Sequence, residues 1–126
     1  MAEHLESGRI AERLARQYLK KQGLQLLSSN YICRYGELDL VMRDKQRLVV
    51  VEIRYRRDRR FMTPGESISR TKRQRIARAT MHFIQHNPRH KRQPVRFDVV
   101  SLSGPLDNSR IDWMPGAFTA DDLHNV

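Results

Sequence analysis

The sequence predicts an α/β fold in which a helix, three strands, a second helix and a further strand build one mixed sheet flanked by helices. Apolar residues recur at helical spacing between Gly8 and Gln22. Two apolar runs with alternating polar residues flank a polar turn between Gly36 and Arg56. A second helical stripe stops at Pro88, ahead of the apolar run PVRFDVVSL.

The first helix carries Ile10, Ala11, Leu14, Ala15, Tyr18 and Leu19 on its packed stripe and is expected to stop at Gly23. LQLLSSNYI then reads as a short strand, followed by the hairpin GELDLVMRDKQRLVVVEIRYR. Arg56 to Phe61 reads as a basic loop. TPGE, Thr63 to Glu66, has capping-box spacing with proline at the first helical position, so the second helix should begin there or within a turn or two and run to about Asn87. Its apolar stripe is Ile76, Ala79, Thr80, Phe83 and Ile84, with Lys72, Arg73, Arg75 and Arg78 projecting largely elsewhere. PVRFDVVSL is the fourth strand, and RIDWM is expected to add a short fifth at the edge.

With 126 residues and 39% hydrophobic content, the chain is expected to form one domain. Its core should span about residues 8–118, with flexible termini. Lys and Arg number 24 against 14 acids, a formal charge of +10. Such an excess adds nothing to stability and points to a polyanion, with nucleic acid the leading partner. The basic residues are spread along the chain and no stretch approaches a spanning length, so no membrane is expected. MAEHLESGRIAERLARQ has no apolar run after a basic start, which is unlike a secretory signal and fits a cytoplasmic protein. Cys33 is the lone cysteine and has no disulfide partner, in keeping with a reducing compartment.

The hairpin carries acids inside its strands. A turn centred on Lys45 and Gln46 makes antiparallel partners sum to 91, which sets Asp39 opposite Glu52. Cβ atoms so placed lie about 4.5–5.5 Å apart, and the two carboxylates repel. Alternation adds Glu37 and Arg54 to that face and continues it with Val41, Leu48 and Val50. The other face, with Leu38, Leu40, Met42, Val49, Val51 and Ile53, is expected to be core, leaving the sheet buried on one side. A hard divalent cation takes carboxylate oxygens and relieves their repulsion, so the pair is a candidate cation site. The same spacing also fits cross-strand ion pairs on a solvated face, and a one-residue slip would undo the pairing.

GRIAE, YLKKQG, SSNYICRYGELDLV, LVVVEIRYR, ISRTKRQRI and VRFDVV, in that order, resemble the bacterial YraN family. That family is similar to Holliday junction resolvases and belongs to the PD-(D/E)xK nuclease superfamily. The resemblance covers roughly Gly8 to Phe118. It implies a restriction-endonuclease-like core and a metal-dependent, structure-selective DNA endonuclease acting on branched or distorted DNA. Carried over by position, the site residues it implies are Glu12, Asp39 and Glu52 as ligands of Mg (or Mn), and Arg54 where the family pattern has lysine. Arginine forks onto phosphate oxygens but stays protonated and cannot act as a base. Lys72, at the start of the second helix, is the nearest lysine in that layout and otherwise reads as a solvated helix residue. By spacing alone, Glu12 is a surface glutamate at the margin of the packed stripe.

The basic residues Arg34, Arg56, Arg57, Arg59 and Arg60 flank the acidic pair, and Arg70, Arg73 and Arg75 open the second helix with Lys72. They read as rails for a phosphate backbone, binding DNA without reading its sequence. His82, His86 and His90 read as polar-face or phosphate-contacting residues, and Trp113 as packing. Tyr31, Tyr35 or Tyr55 would stack on an unpaired base if exposed. Two other classes stand beside the nuclease: a catalytically weak or inactive nucleic-acid-binding module on the same fold, and an RNA-binding or ribosome-associated protein. Resolving a four-way junction takes two cuts, which a homodimer would supply, though the sequence carries no dimer signature.

Overall fold

A computed structural model of the chain describes residues 2–57 and 68–119. Helix α1 spans Ala2–Lys21, and strands β1, β2 and β3 span Gln25–Cys33, Gly36–Asp44 and Arg47–Arg56. Helix α2 spans Arg70–His86, β4 spans Val95–Ser103 and β5 spans Arg110–Phe118, with single 3-10 turns at Pro88–His90 and Leu106–Asn108. The order helix, three strands, helix, strand is that of a restriction-endonuclease-like core. The five strands form one mixed sheet in chain order. Among the described strands only β3 and β4 pair in parallel, and α2 supplies the crossover that a parallel pair requires.

Helix α1 starts earlier than the expected Gly8, because the preceding AEHLES is itself made mostly of good helix formers. It ends at Gly23 (φ 98), where the amide of Leu24 donates to Leu19 O and that of Gly23 to Lys20 O, a Schellman stop that needs the left-handed conformation. Helix α2 begins at Arg70, with Ser69 Oγ accepting from the amide of Lys72 at 3.1 Å. The TPGE capping sequence lies outside the described residues. Strand β5 is longer than RIDWM, running nine residues to Phe118.

The two-residue turn at Lys45 and Gln46 sets the expected register, from Leu40 opposite Val51 to Asp44 opposite Arg47. The sheet, however, is buried on both faces. Leu40, Met42, Val49, Val51, Val100 and Leu102 pack with Ala11, Ala15 and Leu19 of α1. Val41, Leu48, Val50, Phe97 and Val99 pack with Ile76, Ala79 and Phe83 of α2. The β3–α2–β4 crossover covers the face that the hairpin alone leaves open. Leu38 joins the α2-side cluster and Leu40 the α1-side cluster, so strict alternation breaks at Asp39.

Asp98 of β4 is fully buried within the apolar run FDVV. Two extra residues on β5 bulge opposite it, since Phe97 pairs with Phe118 and Val99 with Met114. Its carboxylate accepts from Arg96 Nε (2.9 Å) and Nη2 (3.0 Å), Trp113 Nε1 (2.9 Å) and the amide of Gly116 (3.0 Å). Gly116, at φ 63, lets the bulge turn its amide inward. Every buried acid needs such compensation, and the two donors from β5, Trp113 and Gly116, tie that strand to β4.

Candidate active site

The β2–β3 ladder stops at Leu40 and Val51. Beyond it, β2 continues beside β1 to Gly36 and β3 continues beside β4 to Arg56, so the two strands part. Asp39 stands where they divide. Its Oδ2 accepts from the amide of Ile53 at 2.9 Å, so a side chain takes the place of the carbonyl a longer ladder would have offered. Asp39 and Glu52 are thus not a pair within the ladder, as simple register implied, but neighbours across its fork.

A cavity opens on each side of this fork, and Asp39 lines both. On the α2 side, about 420 Å³ is lined by Asp39, Glu52, Lys72, Arg75, Ser69 and Glu37, among others. Glu52 is buried, and its Oε1 lies 2.7 Å from Lys72 Nζ. Lys72 is therefore an ion-pair partner inside the site, unlike the solvated helix residue that its sequence position suggested. Its position follows from the crossover, which lays the first turn of α2 across the open end of the fork.

Burial pushes the Asp39 carboxyl up to about 7, and the charge of Glu52 beside it adds to the rise. The Ile53 amide and Lys72 pull the other way, and Glu37 adds a smaller upward push. A buried carboxylate beside a second acid favours any cation that enters, because the cation offsets both the repulsion and the burial cost.

On the α1 side, about 430 Å³ is lined by Gly8, Arg9, Ala11, Glu12, Asn30, Asp39, Ile53 and Tyr55. Glu12 leans toward the sheet, accepting from Asn30 Nδ2 of β1 at 3.2 Å and from Arg16 Nη1 at 3.3 Å. Asn30 has a left-handed backbone (φ 53), which asparagine tolerates better than most residues. Glu12 and Asp39 thus share one cavity, and Asp39 and Glu52 share the other. Among the described residues, no three His, Cys, Asp or Glu side chains gather into one metal-ligand set.

Arg54 is half-buried on β3 beside Ser101 of β4 and outside the lining of both cavities. Arg75 is exposed and reaches the Glu52 cavity, whereas Arg73 turns its Nε to Ile68 O at 3.2 Å. Arg34, Arg56, Arg57 and Arg70 are exposed, and Arg59 and Arg60 lie outside the described residues. His90 is not on a polar face. It is buried, with Nδ1 2.6 Å from Gln93 Oε1 and its ring stacked on Phe83. Sequence reading passed over Asn30, Ser69 and Asp98. An asparagine between strand residues, a serine immediately before a basic helical run and an acid inside FDVV were the available signals.

The sequence matches the model of the uncharacterised protein family UPF0102 over residues 11–102. It is 41% identical over 122 residues to a UPF0102 protein of Saccharophagus degradans, covering 97% of this chain and 100% of the relative. A UPF0102 protein of Pseudomonas fluorescens is 43% identical over 115 residues, covering 91% of this chain and 94% of the relative. One from Legionella pneumophila is also 43% identical over 115 residues, covering 91% and 96%. With a family model spanning most of the domain and relatives matched nearly end to end, the chain belongs to the UPF0102 (YraN) family.

Proposed function

We propose that this protein is a metal-dependent, structure-selective DNA endonuclease whose site is the fork between β2 and β3. The observation that carries the reading is the placement of Asp39, Glu52 and Lys72 around one cavity in a strongly basic protein. Asp39 and Glu52 fit a Mg (or Mn) ion, because such ions take one or two carboxylates and fill their remaining positions with water and substrate phosphate. Glu12 stands beyond Asp39 as a third carboxylate for the site from the α1 side. When bound, the ion polarises the phosphoryl group and makes water more acidic.

The chain's own residues account for the rest. Arg75 and the exposed arginines hold the phosphodiester backbone by charge. With Glu52 holding a cation, Lys72 would be free to neutralise the scissile phosphate and to orient the attacking water. Lys72 lines the cavity with Asp39 and Glu52, whereas Arg54 lies outside its lining, so Lys72 is the better placed of the two cations. Water adds to phosphorus and gives up a proton to solvent, the bond to one ester oxygen breaks, and the leaving alkoxide takes up a proton from solvent.

One observation favours a second reading. Lys72 already neutralises Glu52, and a site closed in this way suits a DNA-binding module that does not cut. Incubation of the protein with labelled single-stranded, duplex, flap and four-way DNA, with Mg or Mn, separates the two. Cleavage that needs the metal and is lost in Asp39→Asn and Glu52→Gln supports the nuclease. Equal background in all three proteins, with DNA still bound, supports the module.

A further inference from the structure

Helix α2 carries five Lys or Arg residues and no acid in its sequence RTKRQRIARATMHFIQH. Lys72, Arg75, His82 and His86 fall on one side of the helix at 3.6 residues per turn, the two cations at the cavity end and the two imidazoles about two turns on, with the buried Ala79 between. These rings are stacked, with centroids 4.2 Å apart and planes 25° from parallel. Both rings are fastened. His82 Nδ1 meets Tyr31 OH, and His86 Nδ1 lies 2.8 Å from His82 O.

The turn between β1 and β2 brings a third ring alongside. Tyr35 lies 6.2 Å from His82 at 67°, and the Arg34 guanidinium sits 4.8 Å from the Tyr35 ring centre. The next residue, Gly36, lines the Glu52 cavity with Arg75. The aromatic cluster and the acidic cavity are therefore neighbours on one surface. His86 and Arg34 are exposed and Tyr35 and His82 half-exposed, so the rings are reachable.

We infer that His86, and Tyr35 with the Arg34 guanidinium over its ring, both backed by His82, form a stacking platform for unpaired DNA bases, whose backbone runs past Arg75 to the cavity. Flat rings offer sequence-independent stacking and the adjoining cations hold phosphates, the combination by which proteins bind single strands. A duplex, with its bases already stacked, has nothing to place there. The inference rests on the nuclease reading and deepens it: the substrate is DNA with an unpaired segment beside a duplex, as in a flap or a frayed junction.

The test is binding of the full-length protein, in chelator so that nothing is cut, to a blunt duplex and to the same duplex with a single-stranded tail carrying a fluorescent adenine analogue. We expect the tailed duplex to bind about tenfold tighter, with the analogue's emission changed by stacking. Tyr35→Leu and His86→Ala should each remove several-fold of that preference, while Tyr35→Phe, which keeps the ring, should retain most of it. Melting curves of the variants report whether each still folds. Equal affinity of the wild type for tailed and blunt DNA overturns the platform without need of any variant, as does a preference that survives both substitutions. Failure of the nuclease reading is separate: it appears as absence of metal-dependent cleavage, whatever the tail does to binding.

Discussion

Lys72 Nζ on α2 and Glu52 Oε1 on β3 lie 2.7 Å apart, joining two elements that the parallel crossover brings together. Glu52 is buried whereas the Lys72 side chain is 41% exposed, so the lysine can withdraw toward solvent while the carboxylate cannot.

If the protein is the proposed nuclease, this asymmetry makes Lys72, rather than Arg54, the cation expected to support cleavage. Lys72→Met should lower metal-dependent cleavage by at least about tenfold, which is about 1.4 kcal/mol of transition-state stabilisation. Arg54→Ala should lower it less. Single-turnover rates at saturating protein check the order, and a larger loss in Arg54→Ala would return the role to the arginine.

Asp39 contributes to the response of stability to pH. Its ordinary pKa of 3.8 applies to the unfolded chain, and the folded value is about 7, so between these values the folded state holds more protons. Stability therefore falls as pH rises through that window and stays low above it. Asp39→Asn, which can still accept from the Ile53 amide, should raise the melting temperature by several degrees above pH 7 and change little near pH 4. Added Mg should stabilise the wild type and not the variant. Identical melting curves for the two proteins across pH would remove the assignment.

Binding to DNA should weaken steeply with salt, because the attraction comes from cations that displace counterions around the phosphates. Arg75→Ala should make the slope of log affinity against log salt shallower by about one and lower affinity evenly across sequences. Asp39→Asn should still bind. A flat salt response between low and physiological concentrations would contradict a phosphate-tracking surface.

Asp98 is expected to matter for folding rather than for chemistry. Asp98→Ala leaves Arg96, Trp113 Nε1 and the Gly116 amide without their shared acceptor and should cost on the order of 3 kcal/mol. Asp98→Asn keeps an acceptor but loses the charge facing Arg96, and should cost less. Urea denaturation of the three proteins measures both steps. Near-equal midpoints would mean that water or another group replaces the carboxylate.

Much of this molecule is determined by local sequence. Helical spacing in α1 and α2, the stop at Gly23, the Pro88 boundary and the two-residue turn at Lys45 depend on backbone conformations and periodicities spanning a few residues. The hairpin register follows from that turn and was legible for the same reason, so Asp39 and Glu52 could be named together from sequence. The tertiary structure decided what surrounds them. Leu38 and Leu40 belong to opposite cores because β2 leaves β3 at Asp39, a parting set by the neighbouring strands. His90 is buried and Asp98 is satisfied through partners on other elements, which no local pattern encodes. Lys72 reaches Glu52 across twenty residues of chain because the parallel pairing of β3 with β4 carries α2 over the fork. Chain periodicity specifies which residues share an element, whereas the placement of a charge in a site depends on how the elements pack.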